Sequence, residues 1–406
     1  MGVTIGTVDR EQVMVFLATM GRAFGFDTDN EERAENFAEI FEWPRSRAAF
    51  DGDQMVGTTG AFSLDLTVPG ARMACGGTTV VSVLPTHRRQ GILRSMMDAH
   101  LLDVRERGEP IAGLWAADSA IYGRFGYGCA AQAVDLEISR NHSKFHRLAP
   151  APAPVRLIAS DEASEMLPPF YDDIRRTVPG FYARSSTWWR TRILRDSPDR
   201  RGGASAYRYA VAESDGKVIG YVQYRFKEKW DHGHGEGELL IDELFGTDPE
   251  SWSGLWRFAL DHDLMARVKA SQRSVEDPIL ELLEGRRRAA QTLADSLWIR
   301  VMDVKTALEG RSYSQPVNVV ISLHDPLDAT TSSWRLDLGP DGAEVTPSDA
   351  DPDVVMDLED LGACFMGWSR FSAMARTGRI TGEPDRLNAL DGAFTWRPVP
   401  WCPEVF

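Results

Sequence analysis

The sequence predicts an α+β protein in which two related domains are followed by a third, smaller one. Residues 1–147 read as helices, then antiparallel strands, then one long helix, which is typical of an α+β domain with a mixed sheet. A Pro/Ala-rich linker follows at 148–154, and a hairpin pattern from before the linker recurs after it. At 406 residues the chain is also too long for one ordinary core.

The elements of the first domain, residues 1–147, follow from hydrophobic periodicity. Apolar residues at helical spacing predict two opening helices, and alternating or β-branched runs predict the strands. In chain order we expect helices at Glu11–Phe24 and Glu31–Phe41, strands at Arg47–Asp51, Gln54–Phe62, Leu64–Val68 and Gly77–Val83, a helix at Gly91–Arg107, a strand at Ile111–Ala116, a helical turn at Asp118–Phe125 and a strand at Ala133–Ile138.

Residues 155–300 are interpreted as a second copy of this fold. The segment Ala210–Tyr224 resembles Ala48–Phe62, because in both a second strand carries an apolar pair followed by Gly. A strand at Glu238–Phe245 and a helix at Ser251–His262 continue the same order. The alternative is a chance likeness between two hairpins of a common type.

Residues 301–406 differ from both and predict a small α+β domain. The expected elements around and after the boundary are a strand at Leu297–Met302, a short helix at Asp303–Glu309, a hairpin of Val317–Leu323 and Ser333–Leu338, and helices near Leu358–Met366, Ser369–Arg376 and Pro384–Phe394.

The formal net charge of the chain is −15. A protein this acidic repels phosphate backbones, so nucleic acid is not an expected partner. The same field would attract cationic amines, although an acidic surface also keeps a protein soluble, and the charge does not decide between the two.

The four cysteines, Cys75, Cys129, Cys364 and Cys402, lie far apart, which argues against zinc ribbons and disulfide frameworks and favours a reducing cytoplasm. No apolar run approaches the roughly 20 residues of a membrane helix, and no secretory signal opens the chain. We therefore expect a cytoplasmic protein with no membrane partner. His232-Gly-His234 suggests a metal, but no second cluster at ligand spacing accompanies it, so none is expected.

The segment Val80–Arg94 carries the strongest chemical signal. A β-branched strand stops at Pro85, a basic loop with Arg88 and Arg89 follows, and Gly91 opens the long helix. Free N–H groups and the helix dipole favour an anion at such a helix start, and the arginines add charge-assisted contacts to phosphate. A solvated basic cap is the alternative interpretation of this loop taken alone.

In its order of strand, Pro, Arg-Arg-x-Gly and helix, this segment resembles the coenzyme-A-binding motif of the GNAT superfamily of N-acetyltransferases. Ile121–Gly128 and Leu297–Glu309 resemble segments of one branch, the Eis-like (enhanced intracellular survival) acetyltransferases. The resemblance covers the whole chain and implies tandem GNAT-fold domains, the second degenerate, and then a sterol-carrier-protein-like domain. The implied cofactor-binding residues are Val81, Ser82, Val83, Arg88, Arg89, Gln90, Gly91, Ile92, Leu93, Arg94, Ala117 and Asp118.

The resemblance also implies roles in catalysis with acetyl-CoA as cosubstrate and no metal. Tyr122 matches the general acid that reprotonates the leaving thiolate, whereas two aromatic plugs, Tyr122 and Tyr127, are the structural alternative. The base would be the C-terminal carboxylate of Phe406, and a frayed or packed end is the alternative. Pro403-Glu404-Val405 lacks the acid that some members place just before the last Phe, which bears on substrate preference.

The expected acceptor is the primary amine of a cationic small molecule such as an aminoglycoside, which attacks the thioester directly. A backbone N–H of the strand at Val81–Val83 is expected to stabilise the oxyanion of the tetrahedral intermediate. Phe24, Asp27 and Trp115 are the candidate substrate residues; an acidic group of Asp27, Asp29 and Glu31–Glu32 could attract a cation, although Asp27 also fits a helix N-cap. Protein lysine or N-terminal acetylation, and a non-catalytic coenzyme-A- or lipid-binding module, stay open as alternatives. A homo-oligomer, a hexamer, is expected by resemblance.

Overall fold

A computed structural model describes residues 2–27 and 31–406 of the chain. Each of the three parts of the molecule contains a sheet. In chain order they are β1 Thr4–Gly6, β2 Arg47–Asp51, β3 Gln54–Val68, β4 Ala71–Val83, β5 Ile111–Trp115, β6 Gly128–Cys129, β7 Gln132–Ser139, β8 Val155–Ile158, β9 Arg208–Ser214, β10 Lys217–Lys227, β11 Trp230–Asp231, β12 His234–Gly235, β13 Gly237–Gly246, β14 Met265–Arg273, β15 Ala289–Asp295, β16 Leu297–Val301, β17 Val317–Asp325, β18 Thr330–Gly339, β19 Gly342–Pro347, β20 Val354–Asp357 and β21 Thr381–Gly382.

Helices cover the faces of the sheets. They are α1 Val13–Phe24, α2 Glu31–Ile40, α3 Ile92–Glu106, α4 Ser119–Tyr122, α5 Ser160–Arg175, α6 Ser186–Trp188, which continues as a π-helical turn at Trp189–Ile193, α7 Pro249–Leu260, α8 Ile279–Leu282, α9 Val304–Glu309, α10 Leu358–Cys364, α11 Phe371–Ala375 and α12 Pro384–Phe394. Within the described part of the chain, no helix has both the length and the apolar character that crossing a membrane would require.

Two seven-stranded sheets form the first two domains, and they exchange strands. The first sheet has the order β1-β2-β3-β4-β5-β16-β6, and the second has the order β15-β7-β14-β13-β10-β9-β8. Strand β7 precedes the linker but pairs in the second sheet, and β16 follows the second helix-and-strand unit but pairs between β5 and β6. The two domains are therefore joined by backbone hydrogen bonds as well as by packing.

The predicted strands of the first hairpin are longer than expected. The predicted pair Gln54–Phe62 and Leu64–Val68 is one continuous strand, β3, because Ser63 stays paired, opposite Gly76. Its partner β4 begins at Ala71, well before the predicted Gly77. Hydrophobic alternation does not reveal such a strand because most of β3 is buried on both faces.

The predicted small α+β domain at the end of the chain is confirmed. Its five-stranded sheet has the order β19-β18-β17-β20-β21, and α10 packs against β16 and β6 of the first sheet. One apolar core runs continuously through all three domains and includes Phe62, Tyr182 and Phe406. The last residues of the chain therefore lie between the first two domains.

Candidate active site

The site begins where two parallel strands part. Strands β4 and β5 pair only from Cys75–Ile111 to Gly77–Gly113, although β4 runs on to Val83 and β5 to Trp115. Beyond Gly77 and Gly113, each strand turns an unpaired backbone edge toward the other. Unpaired N–H and C=O groups of this kind are a template for the amide groups of an extended ligand.

A β-bulge in β4 shapes this edge. Thr58 pairs with Ser82 and Gly60 with Thr79, so both Val80 and Val81 lie opposite a single residue of β3. Val80 has φ +50°, which is unusual for a β-branched residue, and the buried Thr58 hydroxyl donates to its carbonyl at 2.7 Å. The sequence gives no signal for this bulge, because a valine favours extended backbone.

The basic loop lies directly beyond this edge. Helix α3 begins at Ile92, and its N-cap, Gly91, has φ +81° and no side chain with which to cap the first N–H groups. Arg88 donates to the carbonyls of Val83 and Ala23 at 3.2 and 3.1 Å, so it ties the loop to β4 and α1. The helix start is left open to an anionic ligand.

A cavity of about 830 Å³ joins the strand edge, the loop and the following turn. All but one of the predicted cofactor residues line it; Gln90 is exposed and donates to the carbonyl of Thr86 instead. Among the described residues of the lining, Asp118 is the one acid, against Arg88, Arg89, Arg94 and Arg124. The cavity suits a phosphate-bearing ligand with an amide arm, as coenzyme A is.

Tyr122 lines this cavity and Tyr127 does not. Tyr122 ends α4, whose N-cap Asp118 accepts from the amide of Ala120 at 3.0 Å. Burial and then the charge of Asp118 raise the pKa of Tyr122 to about 12, which keeps the phenol protonated. Tyr127 is fully buried, and its hydroxyl lies 2.8 Å from that of Thr78.

The turn that carries Tyr122 is supported by distant parts of the chain. Arg300 of β16 donates to the carbonyl of Phe125 at 2.6 Å and pairs with Asp325 of the third domain at 2.6 Å. Its guanidinium fits because Gly126 has no Cβ; one built there would lie 2.0 Å from Nη1. Next to Asp325, Pro326 forms part of the cavity wall. Arg300 and Pro326 could not be identified from the sequence as parts of the site, since neither lies near the motif in the chain.

The C-terminal segment approaches the first sheet from the face opposite to the one that α3 covers. A Cβ on Gly76 would meet Val104 of α3, whereas one on Gly77 would lie 3.3 Å from the ring of Phe406. Phe406 therefore lies at the level where β4 and β5 part. Trp115, at the end of β5, donates to the sulfur of Cys402 at 3.4 Å, so it contacts the C-terminal segment.

The predicted substrate residues are not brought together. Phe24 lines the cavity beside the cofactor residues, Trp115 lies by the C-terminal segment, and Asp27 is exposed. Asp29 lies outside the described residues. Glu32 pairs with Arg195 of the second domain at 3.3 Å, which compensates part of the predicted acidic group.

The cysteines and the His232-Gly-His234 segment lie apart from the cavity. The four cysteines are free thiols. His232 is exposed on the β11–β12 hairpin, and residues 2–27 and 31–406 contain no group of three or more His, Cys, Asp or Glu side chains that could hold a metal ion.

The equivalent helix start in the second domain is closed. Helix α7 follows β13 as α3 follows β4, but its N-cap is Asp248, whose carboxylate accepts from the amide of Ser251 at 2.8 Å. The Pro/Ala linker also packs on this helix, with Ala153 donating to the carbonyl of Glu250 at 3.0 Å. A carboxylate at the helix start repels phosphate, so the open site belongs to the first domain.

Arg89 is the side chain best placed to contact a phosphate. It lines the cavity, and it forms no hydrogen bond or ion pair with the residues that the structure describes. We expect Arg89→Gln to weaken coenzyme A binding about tenfold, because a hydrogen bond to a charged group contributes about 1.5–3 kcal/mol and about 1.4 kcal/mol is a factor of ten. Titration calorimetry at low and high salt measures the dissociation constant of coenzyme A, and the difference between the variant and the unmodified protein should shrink at high salt.

The matched control is Arg376→Gln, which removes the same charge from an exposed position of the third domain. It should bind coenzyme A as the unmodified protein does. Equal weakening by both changes would mean that net charge, and not a phosphate contact at the loop, governs binding.

Comparison with known families gives the same order of domains. An acetyltransferase (GNAT) domain family matches residues 4–130, another acetyltransferase (GNAT) domain family matches residues 180–301, and a sterol carrier protein domain family matches residues 304–403. The predicted fold class of two GNAT-fold domains and a sterol-carrier-like domain is confirmed.

Curated relatives match over nearly the whole chain. An uncharacterised N-acetyltransferase of Streptomyces avermitilis is 35% identical over 393 residues, with 96% of each chain covered. The N-acetyltransferase Eis of Mycobacterium tuberculosis is 32% identical over 351 residues, with 84% of each chain covered. Among solved structures, Eis1 from Mycobacterium abscessus superposes with a TM-score of 0.85 at 27% identity, covering 99% of this chain and 100% of that one.

Proposed function

Since this chain belongs to the Eis-like N-acetyltransferases of the GNAT superfamily, we propose that its first domain transfers the acetyl group of acetyl-CoA directly to the primary amine of a cationic small molecule, such as an aminoglycoside. One observation carries the proposal. A single cavity, built where β4 and β5 part, brings together the basic loop, an unpaired strand edge and the phenol of Tyr122.

The cofactor supplies an activated acetyl thioester, and the residues of the chain position it. The open start of α3 and Arg89 would hold the phosphates, and the edge of β4 at Val81–Val83 would pair with the amide arm. The bulge at Val80 turns this edge out of the regular ladder, so that a backbone N–H there can stabilise the oxyanion formed when the amine attacks.

Direct transfer is favoured because the cavity offers no thiol nucleophile. None of the four cysteines belongs to its described lining. Burial raises the pKa of Cys75 well above its usual range and that of Cys129 to about 11, which suppresses the reactive thiolate. Tyr122 would donate a proton to the departing thiolate, and the carboxylate of Phe406, in a chain that ends there, would accept one from the amine.

The net charge of −15 is compatible with a cationic acceptor but does not by itself select one. Glu32 is compensated by its pairing with Arg195, whereas Asp27 and Glu31 are exposed and close in sequence to Phe24, which lines the cavity. The affinity for a polycation would then come from few direct ion pairs between the acceptor and the protein. Because few specific contacts would have to be matched, we expect the protein to accept a broad range of amines.

The test is thiol release from acetyl-CoA with aminoglycosides, polyamines and lysine-containing peptides as acceptors, with the acetylated product identified by mass spectrometry. Turnover with aminoglycosides or polyamines supports the proposal. Turnover with the peptides alone would mean that the acceptor is a lysine side chain of a protein and not a cationic small molecule. Binding of acetyl-CoA without thiol release in the presence of any amine would overturn the enzymatic proposal in favour of a binding module.

By the same family relationship, we propose a cytoplasmic homo-oligomer, with a hexamer as the expected state. Light scattering of the purified protein would measure the number of chains.

A further inference from the structure

Glu404 is held by a group of polar side chains from the second domain, of which Tyr182, Arg184 and Trp188 are buried and Arg192 is partly exposed. Tyr182 donates to its carboxylate at 2.8 Å and the indole of Trp188 at 2.9 Å, while the guanidinium of Arg184 lies 3.1 Å away and that of Arg192 3.4 Å away. We refer to Tyr182, Arg184, Trp188 and Arg192 as the Glu404 cage. The carboxylate side chain of Glu404 is 13% exposed.

The cage is charged and built around a fully buried cation. The side chain of Arg184 has no exposed surface; it pairs with Glu243 at 2.6 Å and lies 3.9 Å from the ring centre of Tyr171. Because isolated buried charges are strongly unfavourable, Arg184 fixes the position of the carboxylates that surround it. Glu404 is therefore an anchor point and not a freely moving side chain.

The two residues that follow Glu404 lie outside any helix or strand, and Phe406 is held by the packing of its ring in the apolar core. No helix or strand follows α12, and chain ends of this kind usually fray. Val405 is 41% exposed, with its carbonyl accepting from Arg192 at 2.6 Å, and the ring of Phe406 packs on Tyr182 with 5.5 Å between ring centres. Two residues span at most about 7 Å, so fixing Glu404 confines the end of Phe406 to a small volume.

We infer that the Glu404 cage makes Glu404 a positioning residue, through which the degenerate second domain holds Phe406 at the parting of β4 and β5. This inference rests on the proposed function of the Phe406 carboxylate as general base. It gives the second domain, whose own helix start is closed, a defined part in the reaction of the first.

The activity test uses Glu404→Ala, Glu404→Gln, a chain lacking Phe406, and the chain lacking Phe406 that also carries Glu404→Ala. We expect Glu404→Ala to lower kcat by about 10-fold to 100-fold, with binding of acetyl-CoA within about twofold, because small displacements of a reacting group cost this much. Glu404→Gln keeps an oxygen that can accept a hydrogen bond from Trp188 but loses the charge facing Arg184. Its decrease in kcat should therefore be smaller than that of Glu404→Ala.

The double variant separates positioning from general damage. If Glu404 acts through Phe406, adding Glu404→Ala to the chain that lacks Phe406 should change kcat by no more than about twofold. The control is Asp196→Ala, which removes a partly buried carboxylate from the same domain. Asp196 pairs with Arg201 and Arg225 and does not pair with the C-terminal segment. It should keep kcat while lowering the melting temperature.

A second readout does not depend on activity. Carboxypeptidase A, which removes C-terminal aromatic residues, should release Phe406 at least about tenfold faster from Glu404→Ala than from the unmodified chain, since a frayed end is the accessible one. Unchanged kcat and unchanged release would overturn the inference. Full activity of the chain lacking Phe406 would overturn the proposed base, while the release rates would still decide whether the cage holds the end.

Discussion

Replacing Tyr122 by phenylalanine is expected to lower kcat by about 100-fold to 1000-fold, because a positioned general acid typically contributes about 100-fold to 10,000-fold. The change removes one hydroxyl from the wall of the cavity and keeps the ring, so binding of acetyl-CoA should stay within about twofold. Thiol release at saturating acceptor measures kcat, and calorimetry measures binding.

The control is Tyr127→Phe in the same turn. Tyr127 is fully buried and its hydroxyl is already engaged by Thr78, so this change should lower the melting temperature more than kcat. A large loss of kcat for Tyr127→Phe with none for Tyr122→Phe would transfer the acid role to Tyr127.

The pH dependence follows from the raised pKa of Tyr122. With a pKa of about 12, the phenol stays almost fully protonated up to pH 10, so kcat should show no decline between pH 8 and 10 caused by this group. The ordinary pKa in the unfolded chain is near 10. The stability that this group contributes is therefore fully present below pH 10 and is lost as the pH rises toward 12.

The part of the site that is contiguous in the chain could be predicted from the sequence. The helix expected at Gly91–Arg107 is observed at Ile92–Glu106, directly after the predicted strand and basic loop. Local rules suffice here, because a glycine start, a preceding proline and a helical apolar stripe act within a few residues of one another.

The parts contributed by distant segments could not be predicted. Strand β16 enters the first sheet between β5 and β6, and nothing in its own apolar pattern distinguishes that position from an edge. Arg300 on that strand then supports the Tyr122 turn, and Pro326 of the third domain completes the cavity wall. These contacts depend on how sheets pack, which periodicity does not encode.

Glu404 illustrates the same limit. In the sequence it lies two residues before the end, where it is notable only because the residue just before Phe406 is not acidic. In the structure its carboxylate faces Arg184, which is more than 200 residues away in the chain. A buried arginine and a terminal glutamate are each unremarkable alone, and only their pairing indicates a role.

Extending the chain by one glycine after Phe406 is expected to lower kcat by about 100-fold or more, because it moves the carboxylate while keeping the phenylalanine ring. Deleting Phe406 should have an equal or larger effect, since it also removes the packing on Tyr182. Binding of acetyl-CoA should persist in both, because Phe406 does not belong to the described lining of the cavity.

Phe406→Leu provides the comparison that isolates the carboxylate. It keeps the α-carboxylate at the same position in the chain and exchanges one apolar side chain for another, so its loss of kcat should stay below about tenfold. If the carboxylate is the base, the order of activity must be the unmodified chain, then Phe406→Leu, then the extended chain. If the ring alone matters, the extended chain must instead exceed Phe406→Leu, and the base has to be sought among the exposed acids near Phe24.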